Sequence, residues 1–243
     1  METGLKARPI LVTGASGGIG AATVRLLSTE GADVIAAGRN QERLTALSIK
    51  TGCRTLIFDL TAEDEVKSAL TALDLYGVVN CGGWGGEIAT PMDTDIGVFD
   101  KVIDINARGT LLVTKYASKS MINAAIGGAI VNVSSQASLI GLAGHVSYAA
   151  SKGAVDAMTR VSALELGKHN IRVNAVNPTV VMTPMSEWYW GREDIGGPLL
   201  DTMPLGKWAT EDDCAGPIVF LLSDAAAMIS GVCLPIDGGF TAV

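Results

Sequence analysis

Residues 129–152 read AIVNVSSQASLIGLAGHVSYAASK, and the succession of residue types in this stretch decides the fold. Ile130, Val131 and Val133 are β-branched and interrupted only by Asn132, the pattern of a buried strand. The strand ends on two adjacent hydroxyls, Ser134 and Ser135. A loop rich in Gly, Ala and Ser follows, and then Tyr148 and Lys152 head an apolar-periodic segment with Val155, Met158, Val161 and Leu164. At that spacing Tyr148 and Lys152 share one face of a helix. A free phenol, with a pKa near ~10, exchanges protons poorly at neutrality. An ammonium held beside it favours the phenolate and brings proton exchange into the physiological range. A neighbouring hydroxyl could hold a carbonyl oxygen while that proton arrives, so the group suits carbonyl and alcohol chemistry. The Tyr-x-x-x-Lys spacing alone is a weak signal; its weight comes from the rest of the chain.

Upstream, residues 9–13 (PILVT) form a short apolar run, followed at once by Gly14-Ala15-Ser16-Gly17-Gly18-Ile19-Gly20 and a helical pattern over 21–30. Strand, glycine turn and helix in that order make a phosphate site: glycines admit a pyrophosphate close to the backbone, and the amides at the helix start point toward its charge. The spacing Gly14-x-x-x-Gly18-x-Gly20 is a variant of the dinucleotide fingerprint. A second apolar run over 33–38 ends in Gly38-Arg39-Asn40. A carboxylate at this distance would hold a ribose 2′-hydroxyl, whereas an arginine suits a 2′-phosphate. Arg39 therefore favours NADP(H) over NAD(H). A solvated arginine near a helix start is the competing reading, because the glycine loop holds no second basic residue.

Further strands are expected over 55–58, 76–80, 171–176 and 232–236, and helices from 41 and over 62–73, 95–124 and 211–223. The cluster Cys81-Gly82-Gly83-Trp84-Gly85-Gly86 again permits close backbone approach to a ligand. Asn106, amid apolar residues of the long helix, is either a satisfied structural hydrogen bonder or the anchor of a water. Residues 179–205, with Pro184, Trp188, Tyr189, Trp190, Gly196, Gly197 and Pro198, show little periodicity and read as an irregular functional loop. Its tryptophans would wall a substrate pocket or meet another subunit. No repeat, low-complexity tract or linker divides the chain, and alternating strands and helices imply an α/β fold with a parallel sheet covered on both faces.

Composition bounds the partners. With 48% hydrophobic and 18% charged residues among 243, the chain is compact and able to bury a sizeable core. A net charge of -7 without a Lys/Arg cluster argues against nucleic acid. Residues 1–9 lack a signal-peptide pattern, and no apolar run reaches the ~18 residues of a membrane span. Cys53, Cys81, Cys214 and Cys233 stand isolated, as small buried hydrophobes of a reducing compartment do, and His145 and His169 are too few to suggest a metal site. A cytoplasmic protein without metal is expected.

Thr13-Gly14-x-x-x-Gly18-Ile19-Gly20, Asn80-Cys81-Gly82-Gly83 and Tyr148-x-x-x-Lys152 together make the chain resemble the short-chain dehydrogenase/reductase family over nearly its whole length. The resemblance implies one Rossmann-type domain over 1–243, a doubly wound parallel sheet of about seven strands with helices on both faces, and a substrate lid at about 184–205. It implies reversible hydride transfer between a nicotinamide cofactor and a carbonyl or hydroxyl carbon. The family's catalytic serine precedes its tyrosine by the interval that selects Ser135 over Ser134, and its helix asparagine matches Asn106. Tyr148 would be the general acid, Lys152 would tune it and bind the nicotinamide ribose, Ser135 would polarise the carbonyl, and Asn106 would hold a water linking Lys152 to solvent.

By the same resemblance Gly14, Ser16, Gly18, Ile19 and Gly20 would take the pyrophosphate, Arg39 the 2′-phosphate and Asp59 the adenine. Leu60, Asn80 and Gly82 would border the cofactor, and Pro178, Val181 and Thr183 would receive its nicotinamide end. In the branch that reduces dicarbonyls and ketoses, a histidine and a lid tryptophan touch the substrate. His145 and Trp190 match those positions, and Leu142 is expected to contact the substrate with them. The lid diverges, with Trp188 and Tyr189 added, and Cys81 and Gly82 replace the usual Asn and Ala. The implied reaction is NADP(H)-dependent reduction of a ketone, dicarbonyl or ketose to the alcohol. A 3-oxoacyl-thioester reductase is the alternative, although the acidic balance offers no basic patch for an acidic carrier protein. A non-catalytic NADP-binding sensor is the alternative outside enzymes. Members mostly assemble through the long helices near Asn106 and after Tyr148. Ala149, Ala150, Gly153, Ala154 and Ala157 would permit close packing there, so a homotetramer is expected.

Overall fold

The computed structural model describes residues 2–183 and 186–242. Pro184, at the expected start of the lid, lies outside the described residues with Met1, Met185 and Val243. The apolar runs become strands β1 (Pro9–Val12), β2 (Asp33–Gly38), β3 (Arg54–Ile57), β4 (Gly77–Asn80), β5 (Gly128–Val133), β6 (Ile171–Pro178) and β7 (Cys233–Ile236). They form one parallel seven-stranded sheet in the order β3-β2-β1-β4-β5-β6-β7. The order reverses direction between β1 and β4, which opens a crevice at the carboxyl ends of the strands, where ligands of open α/β sheets bind.

Between the strands run α1 (Gly18–Thr29), α2 (Gln41–Thr51), α3 (Glu63–Thr71), α4 (Ile96–Ile103), α5 (Gly109–Ala124), α6 (Val146–Leu166), α7 (Glu187–Trp190), α8 (Glu193–Asp201) and α9 (Glu211–Leu222). Side chains alternate faces along a strand, and β1 shows the consequence. Ile10 and Val12 pack with Val24 and Leu27 of α1 and with Ile218 and Leu222 of α9. Leu11 points the other way, to Leu70 of α3 and Val113 and Met121 of α5. Every residue of β5 is buried, as its β-branched run requires.

Two expectations change. The helix expected over 95–124 is interrupted by a π-helical turn, Asp104–Arg108, that carries Asn106. The segment expected to be irregular contains α7 and α8. Gly196, Gly197 and Pro198 signalled a break, yet they lie inside α8, because Gly196 packs where a Cβ would fall 3.2 Å from the Trp208 ring and closer still to Trp190 O. Tertiary contact there overrides local propensity.

Gly128 marks where the sheet tolerates no side chain: a Cβ would lie 2.5 Å from Tyr76 O and 2.9 Å from Met121 Sδ. Gly128→Ala should therefore cost about 1–3 kcal/mol through overpacking. At about 2–4 °C per kcal/mol for a chain of this size, thermal denaturation followed by circular dichroism should show a clear drop in midpoint. An unchanged midpoint would mean that the start of β5 relaxes freely.

Candidate active site

The loops after β1 and β4 meet backbone to backbone. Gly14 has φ +65, and a Cβ on it would lie 2.7 Å from both Gly82 N and Gly82 Cα. Thr13 Oγ1 accepts from Cys81 N at 3.1 Å and Gly82 N at 3.3 Å, which fixes the two loops together. Gly20 serves packing: its Cβ would crowd Gly14 O, and it does not border the cleft. Gly17, by contrast, would offer a Cβ that meets only an Arg43 guanidinium nitrogen, 4.0 Å away, so no protein covers this backbone. Gly14, Ser16, Gly18 and Ile19 border the same opening, at the start of α1. An uncovered glycine backbone at a helix N-terminus fits a pyrophosphate.

At the centre of the cleft, Lys152 Nζ donates to Val133 O, the last carbonyl of β5, at 2.8 Å and lies 5.6 Å from the centroid of the Tyr148 ring. The two adjacent serines divide. Ser134 Oγ donates to Lys152 O at 3.2 Å, whereas Ser135 Oγ accepts from Ala137 N at 3.1 Å and keeps its own proton free. Ser135, Tyr148 and Lys152 border one cleft. The backbone of Ser135 is pinned from beneath: Asn177 Nδ2 donates to Ser135 O at 3.1 Å and to Asp156 Oδ2 at 2.9 Å, and Ser138 Oγ lies 2.5 Å from both acceptors.

Two expected residues stand behind this surface. Asn106 Oδ1 accepts from Trp84 N at 2.7 Å, and its Nδ2 donates to Trp84 O at 2.9 Å and Ser151 Oγ at 3.0 Å. Its amide, expected to hold a water, is engaged at both ends and holds the loop after β4. Asn80 Nδ2 donates to Asn132 Oδ1 at 2.8 Å and Thr114 Oγ1 at 3.2 Å, bracing β4 against β5. Neither residue borders the cleft.

Arg39, Asp59 and Leu60 border the far end. Arg39 lies 3.4 Å from Asp59 Oδ2 with 73% of its side chain exposed. The Thr61 amide, ahead of the Arg39 charge, holds the Asp59 carboxyl below its ordinary range. Arg43, in the first turn of α2, borders the same end and was missed in the sequence; the Arg39-x-x-x-Arg43 spacing about the helix cap Asn40 was the available signal.

Opposite, Pro178, Val181, Thr183, Leu142, His145 and Trp190 border the cleft, joined by Trp84, Trp188 and Tyr189. His145 Nδ1 lies 2.7 Å from Ala143 O, so the Nδ1–H donates and Nε2 is left as an acceptor. The whole cleft encloses about 700 Å³. No described helix is long and apolar enough to cross a membrane.

The chain is similar to known proteins over nearly its whole length. A family model described as enoyl-(acyl carrier protein) reductase matches residues 14–241. The L-xylulose reductase of Mus musculus is 40% identical over 243 residues, covering 100% of each chain. A short-chain type dehydrogenase/reductase from Mycobacterium ulcerans superposes with a TM-score of 0.95 at 30% identity, covering 98% of this chain and 91% of its own. A structure from Beutenbergia cavernae, described as an NAD(P)-dependent gluconate 5-dehydrogenase with NADP at low occupancy, gives a TM-score of 0.94 at 28% identity and covers 100% of both chains.

Cys81 borders the cleft, and burial pushes its thiol up to about 12, against the opposing pull of the Lys152 charge. Only thiolate is nucleophilic, so Cys81 should stay unmodified by iodoacetamide at mildly alkaline pH in the folded protein and react once guanidinium unfolds the chain. Mass mapping of the alkylated peptides reads the outcome, and rapid labelling of native Cys81 would contradict it.

Proposed function

The chain belongs to the short-chain dehydrogenase/reductase family, and on that premise we propose that it reduces a ketone, dicarbonyl or ketose carbonyl to the alcohol with NADP(H) in preference to NAD(H). The observation that carries this reading is the convergence of a serine with a free hydroxyl proton, a tyrosine and a locked lysine beside an uncovered glycine cradle. Likeness to L-xylulose reductases, 40% identical over the full length in Mus musculus, supports the carbonyl assignment.

When bound, the reduced nicotinamide supplies hydride to the carbonyl carbon. The protein does the rest. Ser135 donates its hydroxyl proton as a hydrogen bond to the carbonyl oxygen and holds the oxygen still. As negative charge grows there, the Tyr148 O–H bond breaks and its proton passes to that oxygen. Lys152, held by Val133 O, places its ammonium beside the phenol and has further protons for the nicotinamide ribose. Asn106 acts on the cofactor side by holding the Trp84 backbone.

Arg39 supports the NADP(H) preference, and Arg43 adds a second guanidinium at the same end. The outer faces of α5 and α6 expose Leu111, Val161 and Leu164, at 48%, 54% and 82%, and a Cβ at Gly153 would meet nothing within 4 Å. These faces support a homotetramer, and free cysteines suit a cytoplasmic location.

Tyr148→Phe should lower kcat by about 10²–10⁴-fold, the range of general acid catalysis. Binding of NADPH, followed by fluorescence, should stay within a few-fold, and retained turnover would reject the role. Arg39→Ala and Arg43→Ala should each weaken NADPH by about tenfold or more, the scale of a charged hydrogen bond, while sparing NADH. Equal loss of both cofactors would dismiss the 2′-phosphate assignment.

A further inference from the structure

The lid carries a continuous aromatic array onto the cleft. Trp190 stacks on His145 with ring centroids 5.6 Å apart and planes 18° from parallel. Tyr189 meets both edge-on, 6.1 Å from His145 and 4.9 Å from Trp190, and Trp188 extends the array 5.5 Å from Tyr189. Trp84 reaches the same cleft from the loop after β4, with Lys101 Nζ 4.8 Å over its ring. Aromatic faces set together in this way bind flat apolar surfaces by offset and edge-to-face contact.

The polar groups point the same way by their scarcity. The charged residues bordering the cleft, among those described, are Arg39, Arg43, Asp59 and Lys152. Arg39 and Arg43 flank the start of α2, Asp59 follows β3, and Lys152 is engaged by Val133 O. Lys152, beside Tyr148, already donates to Val133 O, so a carboxylate or phosphate against the aromatic rings would find no unengaged cation among the described residues bordering that end. Beyond Ser135 and Tyr148, which serve the reacting oxygen, that end offers His145 Nε2, while the Thr183 and Ser186 hydroxyls are paired with each other and Ser186 Oγ donates to Val181 O. An open-chain ketose bears a hydroxyl on nearly every other carbon, and each one dehydrated without a partner costs roughly 1–3 kcal/mol.

We propose that the preferred substrate is an uncharged ketone or α-dicarbonyl carrying a planar ring beside the reacting carbonyl, the ring lying against Tyr189, Trp190 and His145. This narrows the carbonyl-reductase reading and rests on it. Trp188, 66% exposed, is the part of the array left for the ring or its substituents to cover.

The test is steady-state reduction of phenylpropanedione, butanedione and xylulose with NADPH by the full-length protein. The expected result is a kcat/KM at least about tenfold higher for the phenyl diketone than for the other two, the scale of one added aromatic contact. Tyr189→Leu should bring the phenyl-to-methyl ratio to near parity, and Tyr189→Phe should keep it. Trp188→Leu, at an exposed position where folding is not at risk, should lower the ratio as well. Equal turnover of the diketones, or a preference for xylulose, would overturn the proposal while leaving the carbonyl-reductase reading intact. A preference that survives both leucine variants would also overturn it. If no carbonyl is reduced although NADPH binds, both readings fall.

Discussion

The hydrogen bond from Lys152 Nζ to Val133 O, 2.8 Å long and almost sealed from solvent, is the constraint on which the site depends. It ties the first turns of α6 to the tip of β5, and Ser134 Oγ returns the tie by donating to Lys152 O. A buried ammonium must have its protons accepted, so the helix can take one rotation only. That rotation brings Tyr148, one turn earlier, onto the cleft side. Because every strand of a parallel sheet ends at the same edge, the serine at the end of β5 and the glycine turn after β1 reach the same crevice.

A second constraint is backbone contact. The crevice stays narrow because Gly14, Gly20 and Gly82 let two loops and a helix start approach within distances no side chain would allow. Asn106 completes this arrangement by satisfying both backbone groups of Trp84, and the π-helical turn around it places its amide where that bond is made. Positioning of this kind costs the reaction no reorganisation when charge develops on the substrate.

Much of this was legible in the sequence because it rests on short-range rules. The β-branched run before Ser134, the glycine turn after residues 9–13 and the one-turn spacing of Tyr148 and Lys152 each have a local physical cause. What was not legible depends on distant neighbours. Helix α8 forms in spite of Gly196, Gly197 and Pro198 because Gly196 is the residue that fits beneath Trp190 and Trp208. Gly20, Asn80 and Asn106 carry the family pattern but stand behind the cleft, since a motif records that a residue is needed without recording which side it faces. The resemblance selects Ser135 over Ser134 by its interval to the tyrosine without giving the reason; which hydroxyl proton is already spent is a three-dimensional fact. Arg43 was not legible because the glycine loop itself holds no second cation, whereas the first turn of α2 supplies one.

The central claim is that the cleft joins a nicotinamide ring and a carbonyl so that hydride passes directly between them while Tyr148 supplies the proton. Reduction of a diketone with NADPH deuterated at the transferred position of C4, in ordinary water, tests it most directly. The account predicts one deuterium on the new carbinol carbon by mass spectrometry and NMR, and none on that carbon when unlabelled NADPH is used in deuterium oxide. A product whose carbinol hydrogen comes from solvent would contradict it.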